Sequence, residues 1–302
     1  MPDPALPRIL CIGAMLWDII GHAARAVAAG EDLAGSITQR PGGVALNVAL
    51  ALARQGLTPA ILAAVGRDGA GDALAAEVAA RGVDTRWLWR DPQRPTDRYM
   101  AIETPEGLLA AVADAGALEA AGARLIAPLC DGRLGSAAEP WTGTLIVDGN
   151  LQPALFQRLA RDPCLGGAAL RLVPASPSKA RHLLPLLEHP RAIFHINRAE
   201  AEALAGRCFA GAAEAAGTLL DMGCRRVIVT DGPRAVAEAA AGAPLLLRDP
   251  PPVTARRVTG AGDAFLAGHV AAELAGASRA AALDAALNAA SAHVARAPAE
   301  PC

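Results

Sequence analysis

Aromatic residues make up only 3% of this 302-residue chain, with a single tyrosine. So few rings exclude a stacking platform for single-stranded nucleic acid. Lysine occurs once, as Lys179, and no basic block is present; 28 lysines and arginines face 30 acidic residues, for a net charge of −2. Neither nucleic acid nor an anionic membrane is therefore an expected partner. The six cysteines (Cys11, Cys130, Cys164, Cys208, Cys224, Cys302) form no C-x-x-C pair. They read as reduced thiols, not as a disulfide frame or a zinc site. The N-terminus lacks a signal-peptide layout, and no apolar run of about 20 residues is free of breakers. A cytoplasmic protein is expected, with no membrane span.

What is abundant is core material: 53% hydrophobic residues and 30 glycines. The length suits one large α/β domain or two small ones. Apolar runs at Arg8 to Leu16, Ile61 to Val65, Thr144 to Asp148, Ala169 to Val173, Ala192 to Ile196 and Arg226 to Thr230 read as buried strands. Helical patterns lie between them: Val44, Val48 and Leu52 before Gly56; Leu74 and Val78 before Gly82; then Leu155 to Leu159, Ala180 to Leu187, Ala201 to Ala205 and Ala280 to Val294. Strand, helix, strand in this rhythm predicts parallel βαβ units. The rhythm breaks at Thr96 to Glu103 and Leu108 to Val112, which flank the turn sequence Thr104-Pro105-Glu106-Gly107. With strand material between Gly21 and Arg40, this hairpin predicts a small sheet standing off the main domain: a lid over a site, or an ordinary edge meander.

The chemistry concentrates in Arg256-Arg257-Val258-Thr259-Gly260-Ala261-Gly262-Asp263-Ala264-Phe265-Leu266. Leu266, Val270 and Leu274 recur as one buried helix stripe, so Gly260-Ala261-Gly262 reads as a tight loop feeding a helix N-terminus. Unpaired N–H groups and partial positive charge there suit a phosphate, and small residues allow close approach. Asp263, in the first turn, is placed to take a proton from a hydroxyl. The pattern is equally a plain turn followed by a helix-start carboxylate. Asp18, after the first strand, is either a double acceptor for sugar hydroxyls or a solvated loop carboxylate. Gly42-Gly43 brings bare backbone to a helix whose first turn holds Asn47, which either binds a hydroxyl or makes a structural hydrogen bond.

Taken together, these segments resemble the ribokinase-like (PfkB) carbohydrate and nucleoside kinases. Val258 to Asp263 is similar to the C-terminal signature of that family, and Pro41-Gly42-Gly43 with Asn47 to its N-terminal one. Asn197-Arg198-Ala199-Glu200 matches its Asn-x-x-Glu element, and Val229-Thr230-Asp231-Gly232 its nucleotide turn. The four occur in family order along nearly the whole chain. The resemblance implies an α/β, three-layer ribokinase-like fold: a mainly parallel central sheet, helices on both faces and a small β lid. One domain would span 1–302, with the lid formed by about 18–40 and 95–115. It implies an ATP-dependent kinase in which Asp263 is the general base and Gly260, Ala261 and Gly262 form the anion hole. Asp18, Gly42, Gly43 and Asn47 would hold the sugar, and Thr230, Gly232 and Asn288, with Gly260 and Gly262, the ATP. Asn197 and Glu200 would hold Mg²⁺ through water.

The family usually carries aspartate and threonine six and five residues before the base, where this chain has Arg257 and Val258. That places activation by a monovalent cation in doubt. Within the family, Pro95 to Ile102, Gly107 to Asp114, Asp148 to Leu151 and Pro174 to Ala180 resemble pseudouridine kinases, which implies pseudouridine 5′-phosphorylation. Asp114 and Lys179 are candidates to read the base, or a strand-end carboxylate and a solvated lysine. Ribose or another nucleoside is the alternative acceptor, and a non-catalytic nucleoside-binding protein the alternative class. A homodimer through the lid is also implied.

Overall fold

The structure, a computed structural model, describes residues 6–28 and 30–296. Its first strand, β1 (Ile9–Ile12), is shorter than the apolar run predicts. The run breaks at Gly13, whose φ of +148° and contact with the Asp148 carboxylate leave no room for a side chain. The chain re-enters a strand at Leu16, in a different sheet. That second sheet is built from β2 (Leu16–Ala23) and β3 (Gly35–Gly42). The main domain continues with α1 (Val44–Ala53), β4 (Ala60–Leu62), β5 (Ala64–Gly66), α2 (Gly69–Ala80) and β6 (Trp89–Asp91). Ile61 to Val65, predicted as one strand, is thus two short ones in different sheets. β7 (Arg98–Thr104) and β8 (Gly107–Asp114) form the expected antiparallel hairpin and complete the second sheet in the order β3-β2-β7-β8.

After α3 (Gly116–Ala121) and a 3₁₀ segment at Gly122–Leu129, alternation resumes. It runs through β9 (Thr144–Asp148), α4 (Pro153–Leu159), β10 (Ala169–Val173), α5 (Pro177–Ala180), β11 (Ala192–Asn197) and α6 (Arg198–Ala205). The helix predicted from Ala180 to Leu187 is largely 3₁₀, with Pro185 inside it. α7 (Ala212–Asp221), β12 (Arg226–Asp231), β13 (Arg234–Ala240) and β14 (Leu246–Arg248) lead to α8 (Ala261–Leu274) and α9 (Arg279–Ala295). α7 was not foreseen, although Ala212, Ala215, Ala216 and Leu219 recur as one buried stripe; three of the four are alanines, which stand out little in an alanine-rich chain.

The main sheet runs β14-β13-β12-β11-β10-β9-β1-β4, parallel from β12 to β4, with β13 and β14 antiparallel. Side chains alternate across it as a two-residue period requires. Leu10, Ile12, Leu145 and Val147 enter the core shared with α3, α4, α6 and α7. Ile9, Cys11 and Ile146 face the core of α1, α2 and α8. Both faces are covered, giving three layers. Of the predicted stripe on α8, Leu266 and Val270 are buried, but Leu274 at the helix end is 44% exposed.

An ion network anchors the far end of α8 to the sheet. Glu273 accepts from Arg171 Nη2 (2.7 Å) and Arg226 Nη1 (2.6 Å), and buried Glu238 accepts from Arg226 Nε (2.7 Å) and Arg279 Nε (2.9 Å). His195 and His269 meet edge-on at 5.1 Å within it, and burial drives both pKa values down, so they stay neutral. The opposite end of α8 points at the C-terminal edge of the parallel strands, where ligands bind in open α/β sheets.

Candidate active site

α8 starts where Gly260 takes a left-handed conformation (φ 86°). A side chain there would also meet the His293 ring at 3.1 Å. His293, on α9, hydrogen-bonds the Thr259 carbonyl through Nε2 (2.8 Å), fixing the loop from behind. The helix begins at Ala261, so Ala261, Gly262 and Asp263 are its first turn. Ala261 N–H donates to the Val258 carbonyl at 3.1 Å. The next two N–H groups, those of Gly262 and Asp263, belong to the turn that a helix start leaves without backbone acceptors of its own.

Asp263 has a narrow opening to solvent but is otherwise ringed by protein. Loss of hydration pushes its pKa up to about 7; nearby Asp148 and Glu200 push the same way, while a hydrogen bond from Asn47 and the charge of Arg54 oppose the rise. The packing of α1 against α8 brings the Asn47 amide to Asp263. Gly43, the N-cap of α1, has φ 103°, and a Cβ there would strike the Ala14 carbonyl. At Gly42 a Cβ would lie 2.3 Å from the Asp18 carboxylate. Asp18 stands opposite Arg40 across β2 and β3, with Arg40 Nε 3.8 Å from Oδ2. Burial raises the Asp18 pKa, and Arg40 opposes it. Contact by contact, Asp18, Gly42, Gly43, Asn47 and Asp263 form one continuous wall.

On the other side of the α8 N-terminus lies a cavity of about 560 Å³. Thr230, Gly232, Ala261 and Gly262 line it, together with Phe265, Leu287, Ala290 and Ser291. That volume fits a cofactor-sized molecule. One helix terminus thus separates an acceptor wall carrying a carboxylate from a roomy, mainly apolar chamber. A hydroxyl held by Asp263 and an anion held by α8 would meet there, as phosphoryl transfer requires.

Comparison with known proteins agrees. The profile described as "pfkB family carbohydrate kinase" matches residues 6–302. The chain belongs to the pfkB family of carbohydrate kinases. A carbohydrate kinase from Agrobacterium tumefaciens is 28% identical, with TM-score 0.78 over 94% of this chain and 90% of that one. An Arabidopsis thaliana ribokinase complexed with ribose and ATP shares 19% identity at TM-score 0.78, covering 96% and 93%. A Schistosoma mansoni adenosine kinase in complex with 2-fluoroadenosine shares 17% at 0.77, covering 98% and 97%. The last two likenesses show the fold alone. No match was found among curated protein sequences.

For this kinase, Asn197 and Glu200 form a reciprocal capping box at the start of α6: Asn197 Oδ1 accepts from Glu200 N–H and Glu200 Oε2 from Asn197 N–H, both at 2.9 Å. The Asn-x-x-Glu pattern is thus explained structurally in the first place. Glu200 Oε1 is not used by the box, and burial raises the Glu200 pKa. Hard oxygen donors half-committed to capping fit a Mg²⁺ held through water better than one bound directly.

Asn288 stands outside the cavity lining. It is exposed, and the cavity is lined instead by Leu287, Ala290, Ser291 and Val294. These recur at helical spacing on one face of α9, and Asn288 lies about 100° round from Leu287. Asp114 is exposed and accepts from Gly116 N–H at 3.2 Å. Lys179 hydrogen-bonds the Asn150 amide oxygen at the ends of β9 and β10. Arg257 stands near Arg40, whose charge lowers its pKa further after burial.

Three contributors escaped sequence reading. Asp148, fully buried, accepts from Ala14 N–H (2.9 Å), Ala45 N–H (3.0 Å) and Asn150 N–H (2.9 Å), pinning the turn after β1 to the start of α1. Its signal was a carboxylate ending an apolar strand. His293 and Ser291, in an alanine-rich helix, gave none. Cys130 and Cys164, distant in sequence, come together with Asp162. The charge of Asp162 is already met by Arg158 (2.8 Å), and five cysteines among the described residues are free thiols.

Proposed function

We propose that this kinase transfers the γ-phosphoryl group of ATP, carried as its Mg²⁺ complex, to a ribosyl hydroxyl, with pseudouridine as acceptor and pseudouridine 5′-phosphate as product. The observation that carries the reading is Asp263 itself: a carboxylate at the first turn of α8, hydrogen-bonded by Asn47, with a pKa near 7. A base poised near the working pH combines availability with proton affinity. Asp263 would accept the proton of the attacking hydroxyl while Asp18 and the bare backbone at Gly42 and Gly43 hold the sugar. Gly262 and Asp263 N–H groups, with the positive end of α8, would steady charge on the transferred group. Gly260 and Ala261 would shape that anion hole more than donate to it. Thr230 and Gly232 would hold the triphosphate side of ATP, and Asn197 with Glu200 the water shell of Mg²⁺, which would screen the phosphate charges.

The pseudouridine assignment is supported by the lid and strand-end segments noted above, and by Lys179 and Asn150 lying together at the sheet edge. Arg257, in place of the usual aspartate, supports turnover without a monovalent cation. The second sheet exposes Met100 and Val112, directly paired across β7 and β8, along with Ile37, Leu108 and Leu109. Such an apolar face supports a lid-to-lid homodimer. Among the described residues no helix is long and apolar enough to cross a membrane, and we place the enzyme in the cytoplasm.

The test is ADP release with Mg-ATP against pseudouridine, uridine, adenosine, inosine, cytidine, ribose and fructose. Turnover of pseudouridine alone supports the full reading. Turnover of ribose or another nucleoside keeps the kinase and replaces the acceptor. Ligand binding without turnover across the panel favours a non-catalytic nucleoside-binding protein.

A further inference from the structure

The chamber beside α8 is unusual in what its walls cannot do. Pro250, Pro251 and Pro252 form part of it, and proline has no N–H to donate. Val253, Leu287 and Val294 supply apolar surface, and Phe265 an aromatic ring. Among the described residues the polar side chains of the lining are two hydroxyls, Thr230 and Ser291. A hydroxyl rotates to donate or accept as its partner demands. Among the described residues the lining contains no carboxylate, amide, lysine or arginine. Asn288, on α9, is exposed and outside the lining.

Adenine and guanine differ in the polarity of one edge. Adenine offers a 6-amino donor beside the N1 acceptor; guanine offers a 6-oxo acceptor beside an N1–H donor. Telling them apart requires a wall group committed to donating or to accepting. Sites with such groups discriminate by 10⁴-fold or more, whereas apolar pockets manage about 10- to 200-fold. Val253, Ala255 and Val258 also line the chamber; a single backbone N–H would find an acceptor on either purine, and a single backbone carbonyl a donor on either, the 6-amino group of adenine or the N1–H of guanine. Shape and burial are then the main readers, and the two purines share one fused ring and differ in outline chiefly by the 2-amino group of guanine.

We propose that the donor half of the site accepts purine nucleoside triphosphates as a class, GTP serving alongside ATP. This rests on the kinase reading of the same site. Its test is a pair of measurements on the full-length enzyme. Initial rates with Mg-ATP, Mg-GTP and Mg-ITP, using whichever acceptor turns over, should give kcat/KM values within about tenfold of one another. Calorimetric Kd values for ADP and GDP should agree within the same factor. Preference for ATP over GTP by more than about 100-fold, or for ADP over GDP by as much, overturns the proposal. Because the calorimetry needs no acceptor, missing turnover would count against the kinase reading alone, and the Kd ratio would still decide this one. Ser291→Ala supplies a second check. The ATP-to-GTP ratio should stay within about threefold of the parent, and a tenfold change would show that the hydroxyl reads the base after all.

Discussion

Replacing Asp263 by asparagine separates two consequences of one buried charge. The pKa rises from 3.8 to about 7 because water is largely lost around the carboxylate. At about 1.4 kcal/mol per pH unit, that rise bounds the folded-state penalty on the charged form at about 4 kcal/mol, and the solvent opening reduces it to about 1–2 kcal/mol. The sign follows from linkage: a carboxyl whose pKa is raised on folding favours the folded state when protonated, and that advantage fades as pH climbs from about 4 to about 7. Asp263→Asn removes the charge while keeping the shape. Its melting temperature should match the parent near pH 4, exceed it increasingly toward pH 7, and hold a constant gain above pH 7.

Turnover should move the opposite way, falling about 10²- to 10⁴-fold, the range of general-base contributions. ADP binding should persist. The parent's kcat/KM should lose activity on the acid side with an apparent pKa near 7. Thermal melts at pH 4, 6 and 8 with matched steady-state rates make the assay. A variant no more stable than the parent at pH 8 would refute the burial argument, and near-normal turnover would refute the base assignment.

Gly42→Ala would drive a Cβ into the Asp18 carboxylate, a movable side-chain end; acceptor KM should rise about tenfold or more with little change in melting temperature, and unchanged KM would remove Asp18 from the acceptor wall. Glu273→Ala leaves Arg171 and Arg226 facing each other in the sheet-side network, and should cost about 3–5 kcal/mol in urea unfolding. Arg257 faces Arg40 and Arg54, so a potassium ion beside it would add repulsion; rates in KCl and in choline chloride of equal ionic strength should agree within about twofold.

Composition and local pattern alone determined the βαβ series, the hairpin at residues 98–114, the glycine-rich start of α8 and the place of Asp263 in its first turn. These features depend on periodicity and on backbone rules that act over a few residues, so they can be read along a line. Tertiary structure decided what spans the chain. Asp148 finds Ala14 and Ala45 only once β9 lies beside β1. Ser291 faces the chamber and Asn288 does not, a choice made by the rotation of α9 against α8. The pKa of Asp263 is set by α1, β9 and α6, all distant in sequence. Gly42 read along the chain as bare backbone before a helix; in the fold it is a residue needing space, because Asp18 fills the volume a side chain would take. Desolvation, steric exclusion and long-range hydrogen bonds come into being only when the chain has closed on itself.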